Sequence, residues 1–184
     1  GMEAQPEGRS LQIEGIRFAA ARGELGDHYD PRGHTVHLSQ GVAMEPSVAA
    51  MAIVAHELGH AEQRESNSAL MSLRNILVPA IRFSPTIAFI CIFIGLILNV
   101  LQFFWLGILF YAAMVAFIIL DLPIEFDASR RAMRLLTEAG LVHAEQDRSG
   151  TQRVLMAAAS TYVAAAVTAV LQLLYFISLG RRRS

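Results

Sequence analysis

Long uncharged runs dominate the second half of the chain. Residues 83–120 contain no charged side chain. A single helix of that length would extend about 57 Å, far beyond the roughly 30 Å hydrocarbon core of a bilayer. The pattern therefore predicts a helical hairpin that turns near residues 99–102. Its first arm is expected to begin near Ile76.

A third uncharged run covers residues 154–179 and stops at the basic cluster of residues 181–183. It is rich in small side chains, which allow helices to pack closely in lipid. Three such runs are too many to bury in a soluble fold of this size. The sequence therefore predicts an integral membrane protein, mainly α-helical, with about three transmembrane helices.

The first half of the chain is more polar and mixes two periodicities. Apolar residues recur at helical spacing from about residue 46 to residue 64 or beyond, whereas residues 35–39 alternate in the way typical of a short strand. Residues 11–22 form a short amphipathic element whose type the pattern leaves open. The first ten residues are polar and are expected to be mobile.

The composition agrees with a membrane setting, since 54% of the residues are hydrophobic and 17% are charged. The net charge of −1 argues against nucleic acid as the main partner. Cys91 is the single cysteine, which excludes a disulfide framework and a cysteine-based metal cluster. No signal peptide is apparent at the start. Gly1 precedes Met2, so the natural chain is expected to begin at Met2 or further upstream.

The most informative stretch is His56-Glu57-Leu58-Gly59-His60, which has the H-E-x-x-H spacing. On a helix this spacing puts two imidazoles one turn apart on the same face, and zinc binds neutral histidine nitrogens readily. Glu57 would then lie beside the metal, placed to take a proton from a zinc-activated water. Two solvated histidines on an amphipathic helix are the weaker alternative.

A catalytic zinc needs a third protein ligand, and Glu125 is the preferred candidate. It follows the second arm of the predicted hairpin, which returns to the side of the membrane from which the motif helix enters. Asp127 is the rival ligand. His28, His34 and His37 are further candidates, although turn or surface roles suit them better.

Four stretches carry a resemblance to a known family: residues 27–32 (DHYDPR), 38–39 (LS), 56–61 (HELGHA) and 123–132 (PIEFDASRRA). Over about residues 25–174 the chain resembles the YugP-like neutral zinc metallopeptidases of bacterial membranes. The resemblance implies a membrane-embedded, zincin-like peptidase with one Zn²⁺ per chain. It implies His56, His60 and Glu125 as ligands and Glu57 as the catalytic base.

Two departures from related patterns affect the expected site. The segment after Glu125 also resembles the E-x-x-A-D stretch of HtpX-like membrane proteases, but Ser129 stands where those proteins have aspartate. Asp127 or Asp30 is therefore expected to support a zinc-bound histidine. YugP-like chains usually also begin with a membrane helix, which is missing from this sequence.

The resulting interpretation divides the chain into five parts: an N-terminal segment (1–24), a zincin-like region with the motif helix (25–75), a transmembrane hairpin (76–122), a third-ligand helix and loop (123–150), and a membrane helix with a basic C-terminus (151–184). The candidate oxyanion donors are His28, Tyr29 and Arg130. The strand of residues 35–39 is expected to pair with an extended peptide substrate.

The expected function is hydrolysis of a peptide or protein substrate, itself membrane-associated, near the surface of a lipid bilayer. A zinc-binding scaffold without turnover and a zinc hydrolase of non-peptide bonds are the alternatives. Arginines near the membrane ends favour a cytoplasmic catalytic face in a bacterial inner membrane, with residues 181–183 as a contrary signal. The sequence specifies neither the natural substrate nor an oligomeric state.

Overall fold

The computed structural model describes residues 15–24, 26–66, 69–142 and 145–183. The expectation for residues 1–10, and part of that for residues 11–22, lies outside these ranges. The described elements are three strands and six helices: β1 (Arg17–Ala20), β2 (His28–Asp30), β3 (Thr35–Leu38), α1 (Gln40–Met44), α2 (Val48–Glu65), α3 (Ala69–Ile81), α4 (Ser84–Ile97), α5 (Leu101–Glu138) and α6 (Glu145–Arg181).

The three strands form one small sheet in the order β1-β3-β2. Strand β1 runs parallel to β3, whereas β2 is antiparallel to it. The β2–β3 turn is closed by Asp30, whose carboxylate accepts hydrogen bonds from the backbone N–H groups of Arg32 and Gly33, both at 3.0 Å. Tyr29 and Val36 are buried against α2, so the sheet lies on the motif helix.

Helix α2 begins close to where the sequence pattern predicts. Ser47 is its N-cap, and the Ser47 hydroxyl accepts a hydrogen bond from the backbone N–H of Ala50 at 3.0 Å. Pro46 lies just before the cap, where its missing N–H costs nothing. The helix ends at Glu65, so the predicted span is confirmed to within two residues.

The hairpin is formed by α4 and α5, and its turn lies where the sequence predicts. Asn99 has φ of 55°, the left-handed conformation that reverses the chain. A Cβ on Gly95 would lie 2.5 Å from the backbone nitrogen of Phe104, and a Cβ on Gly107 2.7 Å from the carbonyl oxygen of Ala88. Both glycines therefore allow the two arms to pack at backbone contact.

The sequence predicts that the first arm begins near Ile76, and in the structure this residue lies inside α3 (Ala69–Ile81). Helix α4 begins at Ser84, and the preceding segment Ala69–Pro79 is bent from it by 49°. Two prolines lie on either side of the break: Pro79 is in the last turn of α3, and Pro85 is in the first turn of α4. Pro79 has no N–H to bond to the carbonyl one turn earlier, which favours a kink, whereas a proline in the first turn of a helix is tolerated.

Helix α5 is continuous from Leu101 to Glu138, so the division between residues 122 and 123 falls inside one helix. Its uncharged part, residues 101–120, is about 30 Å long, enough to cross the hydrocarbon core. The remainder projects beyond it and contains Glu125. Helix α6 returns antiparallel to α5, since Phe176 packs against Tyr111 and Leu155 against Ala132.

The predicted fold class is confirmed. The chain is a mainly helical membrane protein with a small β element. Within the described residues, α5 and the Asp147–Arg181 part of α6 are long and apolar enough to span a membrane. The bent pair α3–α4 is a third candidate if it is counted as one span.

Candidate metal centre

Helix α2 places His56 and His60 one turn apart, with their ring centroids 4.8 Å from each other. The Nε2 atoms of both rings approach the same carboxylate oxygen, Oε2 of Glu125, at 3.2 and 3.6 Å. Glu125 is almost fully buried and belongs to α5. The structure therefore brings together the three side chains that the sequence suggested as ligands.

The distances from Oε2 of Glu125 to the two imidazole nitrogens fit a tetrahedral metal site. Two ligand atoms that each lie roughly 2.0–2.2 Å from a zinc ion are about 3.4 Å apart when the angle at the metal is tetrahedral. The two nitrogen–oxygen separations, 3.2 and 3.6 Å, bracket this value. Among the described residues, His56, His60 and Glu125 form a group whose ligand atoms all lie within 4.8 Å of one another.

The outer nitrogen of each imidazole has a neutral partner. His56 Nδ1 lies 3.3 Å from the hydroxyl of Ser129, and His60 Nδ1 lies 3.0 Å from the amide oxygen of Gln63. The Gln63 amide oxygen only accepts, so its contact keeps the proton of His60 on Nδ1 and leaves the Nε2 lone pair for a metal. The Ser129 hydroxyl holds the ring of His56 in orientation. Ser129, which replaces the aspartate of the related pattern, thus still contacts a histidine of the motif.

Asp127 reaches the centre only through Gln63. The Gln63 amide nitrogen donates to the Asp127 carboxylate at 2.9 Å and to the backbone oxygen of Ile124 at 2.8 Å. Asp127 also accepts a hydrogen bond from Arg131 at 2.7 Å. Asp127 thus supports His60 indirectly, through Gln63, whereas Asp30 closes the β2–β3 turn. Sequence reasoning missed Gln63, although its position three residues after His60 puts it on the same helix face.

A second polar contact that the sequence did not indicate involves α3. Arg74 lies 2.5 Å from the carboxylate of Asp121 and 3.8 Å from Oε1 of Glu125. The guanidinium therefore faces the carboxylate oxygen that the histidines leave free. Asp121 precedes Glu125 by one helical turn, which is the only signal in the sequence for their proximity.

Burial and nearby carboxylates act in opposite directions on the pKa of His60. Burial alone lowers the pKa of an imidazole, but the hydrogen bond and the negative charge of Glu125 outweigh it, and the pKa of His60 is raised above its ordinary value. Glu57 contributes in the same direction. A cation is thus favoured between these carboxylates, in accord with a metal centre.

A cavity of about 520 Å³ opens beside the three side chains. Glu57 lines it and is itself buried. Residues from β2 and α6 complete the wall, among them His28, Tyr29 and Tyr162. The cavity is large enough for a short stretch of peptide chain next to the candidate base.

The three predicted oxyanion donors have different surroundings. His28 and Tyr29 line the cavity. Arg130 is exposed and is not among the residues that line the cavity. His34 and His37 do not join His56 and His60, since His34 contacts Tyr29 at 2.7 Å and His37 stacks on His28 with ring centroids 4.6 Å apart.

The prediction that residues 35–39 pair with a substrate is wrong. Strand β3 is the central strand and is hydrogen-bonded on both sides, to β1 and to β2. A strand paired on both sides has no free backbone groups to offer. The outer edge of β2 is the sheet edge at the cavity, because His28 and Tyr29 line it.

Fold and site together define a membrane protein with a metal centre of the H-E-x-x-H type, as found in zinc-dependent hydrolases. The profile of the family described as "Putative neutral zinc metallopeptidase" matches residues 8–181, and the chain belongs to this family. The family predicted from the sequence is thereby confirmed, and with it zinc as the cofactor.

A relative from Bacillus subtilis (strain 168), described as "Putative membrane protease YugP", is 36% identical to this chain over 177 residues. The alignment covers 95% of this chain and 78% of the relative. No solved structure matches the chain. Both descriptions are those of a protease, whose substrates are peptides or proteins, and the description of the relative adds the membrane.

Proposed function

We propose that the protein is a zinc-dependent endopeptidase that hydrolyses peptide bonds close to the membrane surface, with His56, His60 and Glu125 as the metal ligands and Glu57 as the general base. The observation that carries this proposal is the convergence of both imidazole Nε2 atoms on Oε2 of Glu125, at 3.2 and 3.6 Å, beside a cavity that contains Glu57.

The side chains have distinct tasks in this proposal. Zinc, when bound, acts as a Lewis acid and lowers the pKa of a water molecule towards neutrality. Glu57 takes the proton from that water and passes it to the leaving amine, a role in which a carboxylate contributes typically 10²–10⁴-fold. Gln63 keeps His60 in the tautomer that leaves Nε2 free, and Ser129 orients the ring of His56.

The substrate is expected to bind as an extended strand along the outer edge of β2. Main-chain hydrogen bonds to a free edge give affinity without demanding a particular sequence. Since β2 lines the cavity with His28 and Tyr29, a peptide added there would pass Glu57. Glu125 lies about 7 Å along α5 beyond Leu120, the last residue of the uncharged run, so the bond would be cut near the membrane surface.

The test replaces the base alone. Glu57→Gln removes the proton acceptor and keeps the size of the side chain, so zinc content should stay at about one per chain while peptide cleavage falls by about 10²-fold or more. Glu45→Gln is the matched control, because Glu45 is exposed at the end of α1 and should leave cleavage unchanged.

Cleavage that survives Glu57→Gln would contradict the proposal. A wild-type protein that holds zinc but cleaves no peptide would favour the scaffold, and turnover of non-peptide esters or amides alone would favour the other hydrolase. Mass-spectrometric identification of proteins that accumulate in cells with the Glu57→Gln variant would then name substrates.

For the location we propose a bacterial inner membrane with the cytoplasmic face as the catalytic side. The support is that more arginines lie near membrane ends on the catalytic side than on the other side. Those on the catalytic side are Arg64, Arg74, Arg130, Arg131, Arg134, Arg148 and Arg153, and those on the other side are Arg181, Arg182 and Arg183. Helix α6 ends beside the hairpin turn, since a Cβ on Gly180 would lie 3.0 Å from the ring of Trp105. The terminal cluster is therefore on the opposite side.

Cysteine labelling tests the orientation, because Cys91 is the single native cysteine. In a Cys91→Ser background, Thr137→Cys at the exposed end of α5 should be protected from an impermeant maleimide in intact cells, and Arg183→Cys should react. The reverse pattern would place the catalytic side outside the cytoplasm.

A further inference from the structure

Peptide hydrolysis needs a hydrogen-bond donor for the carbonyl oxygen, which becomes negatively charged as water adds to the carbon. Several polar groups that line the cavity are already engaged. The Tyr29 hydroxyl contacts His34 Nδ1 at 2.7 Å, and the Thr161 hydroxyl donates to the backbone oxygen of Ala158 at 2.6 Å. Arg74 faces Asp121 and Glu125, as described above.

His28 also fails as a donor while it is neutral. Its Nδ1 lies 2.7 Å from the backbone oxygen of Gly26, and a carbonyl only accepts, so the proton is on Nδ1. In the neutral ring the other nitrogen, Nε2, is then an acceptor. His28 could receive a hydrogen bond from a substrate N–H, but it could not stabilise an oxyanion.

Tyr162 is different. It lines the same cavity from α6, with 38% of its surface exposed, and within the described residues no hydrogen bond engages its hydroxyl. Glu57 and Glu125, the candidate base and the candidate third ligand, line the same cavity as Tyr162. A phenolic O–H is a good donor to an oxyanion.

We infer that the hydroxyl of Tyr162 is the protein's hydrogen-bond donor to the tetrahedral oxyanion, an assignment that rests on the peptidase function proposed above. Water attacks the carbonyl carbon, and the electron pair of the C=O bond moves to the oxygen. The proton lost by the water goes to Glu57. Tyr162 donates a hydrogen bond without losing its proton. When the C–N bond breaks, the oxyanion reverts to a carbonyl and Glu57 returns the proton to the leaving amine.

A second explanation for this tyrosine is anchoring at the membrane interface, where tyrosines are enriched. An anchor would affect insertion and thermal stability but not the ratio of transition-state to ground-state binding. The inference therefore depends on a readout that anchoring does not change.

The experiment compares Tyr162→Phe with Tyr175→Phe in the full zinc-loaded protein. Each variant loses one hydroxyl from α6, and Tyr175 lies far along the helix from the cavity and is 58% exposed. We expect Tyr162→Phe to lower kcat by about 10²–10³-fold, as for the loss of one oxyanion donor, with KM and zinc content nearly unchanged. Tyr175→Phe should behave as wild type.

A transition-state analogue supplies the second readout. The affinity of a phosphinic peptide for Tyr162→Phe should fall by the same factor as kcat/KM, whereas binding of the uncleaved substrate to a Glu57→Gln background should not change. Unchanged kcat in Tyr162→Phe, or loss of zinc or of the folded protein together with activity, would overturn the inference.

The design separates this inference from the proposed function. If wild type cleaves peptides, Glu57→Gln does not, and Tyr162→Phe cleaves as well as wild type, the inference fails and the peptidase assignment stands. If wild type is as inactive as Glu57→Gln, the proposed function fails, and the inference fails with it.

Discussion

At the scale of single residues, each side chain of the metal centre is held by a partner from another position. His56 contacts Ser129, His60 contacts Gln63, and Glu125 faces Arg74. The partners of the two imidazoles are neutral, so they fix the ring orientation without adding negative charge to the site. The charge balance of the centre therefore depends on Glu57, Asp121 and Glu125 against Arg74 and the metal.

Glu125→Ala tests the third ligand. Two histidines alone hold zinc poorly, so the zinc affinity measured by chelator competition should fall by more than the roughly 10–100-fold typical of an outer partner, and cleavage should be lost. Asp127→Ala is the comparison, because Asp127 contacts the centre through Gln63. This variant should lower zinc affinity by no more than about 10–100-fold. Equal losses in both variants would contradict the assignment of Glu125.

Much of this centre was predictable, and the reason is local geometry. The spacing of His56, Glu57 and His60 fixes their relation on one helix, and the hairpin fixes the side on which Glu125 emerges. Gln63 and Arg74 were not predictable in the same way. Their contacts depend on how α2 and α3 pack against α5. The sequence pattern does not specify how each of these helices is rotated about its own axis.

At the scale of elements, the contact between α2 and α5 decides whether the ligands meet. Gly59 lies between the two histidines, and a Cβ at this position would be 2.5 Å from the backbone oxygen of Ala128. The two helices therefore touch at backbone distance, directly beside the metal centre. A larger residue would push Glu125 away from the imidazoles.

Gly59→Ala should therefore lower both stability and zinc affinity. Overpacking of this kind should lower the free energy of unfolding by about 1–3 kcal/mol. The separation of α2 from α5 should lower zinc affinity as well. Gly41→Ala is the control, since its Cβ would meet only the Glu24 carboxylate at an ordinary 3.6 Å. Thermal unfolding and chelator competition measure the two effects. Wild-type zinc affinity in Gly59→Ala would show that the close contact does not set the ligand spacing.

The elements themselves were predictable to different degrees. Long uncharged runs define α5 and α6 well, and apolar residues at helical spacing define α2, because each signal is continuous along the chain. The bend between α3 and α4 was missed, although Pro79 and Pro85 mark it. The central place of β3 was also missed, since alternation identifies a strand but not its neighbours in the sheet.

At the scale of the whole molecule, the bundle exposes much apolar surface. Ile97, Leu109 and Leu171 have 78%, 66% and 61% of their surface exposed, respectively, and they lie on three different helices. Patches of this kind are covered by lipid or by a partner in membrane proteins. In the described fold no other part of the chain covers these three side chains.

The purified protein should therefore stay monodisperse only in detergent or lipid. Size-exclusion chromatography with light scattering, with and without detergent, measures this. A monodisperse sample in plain buffer would contradict the placement of α5 and α6 in a membrane.

Biosynthesis of the chain has to follow the same geometry, because His56 and His60 leave the ribosome before Glu125 does. Both arms of the hairpin are made in between. Until the hairpin is inserted, the nascent chain has two imidazoles and a general base but no third ligand beside them. The protease would thus be latent in the cytosol and would become competent only on reaching its membrane. Cell-free synthesis with and without vesicles should show stoichiometric zinc only when vesicles are present, and zinc retained without them would exclude such latency.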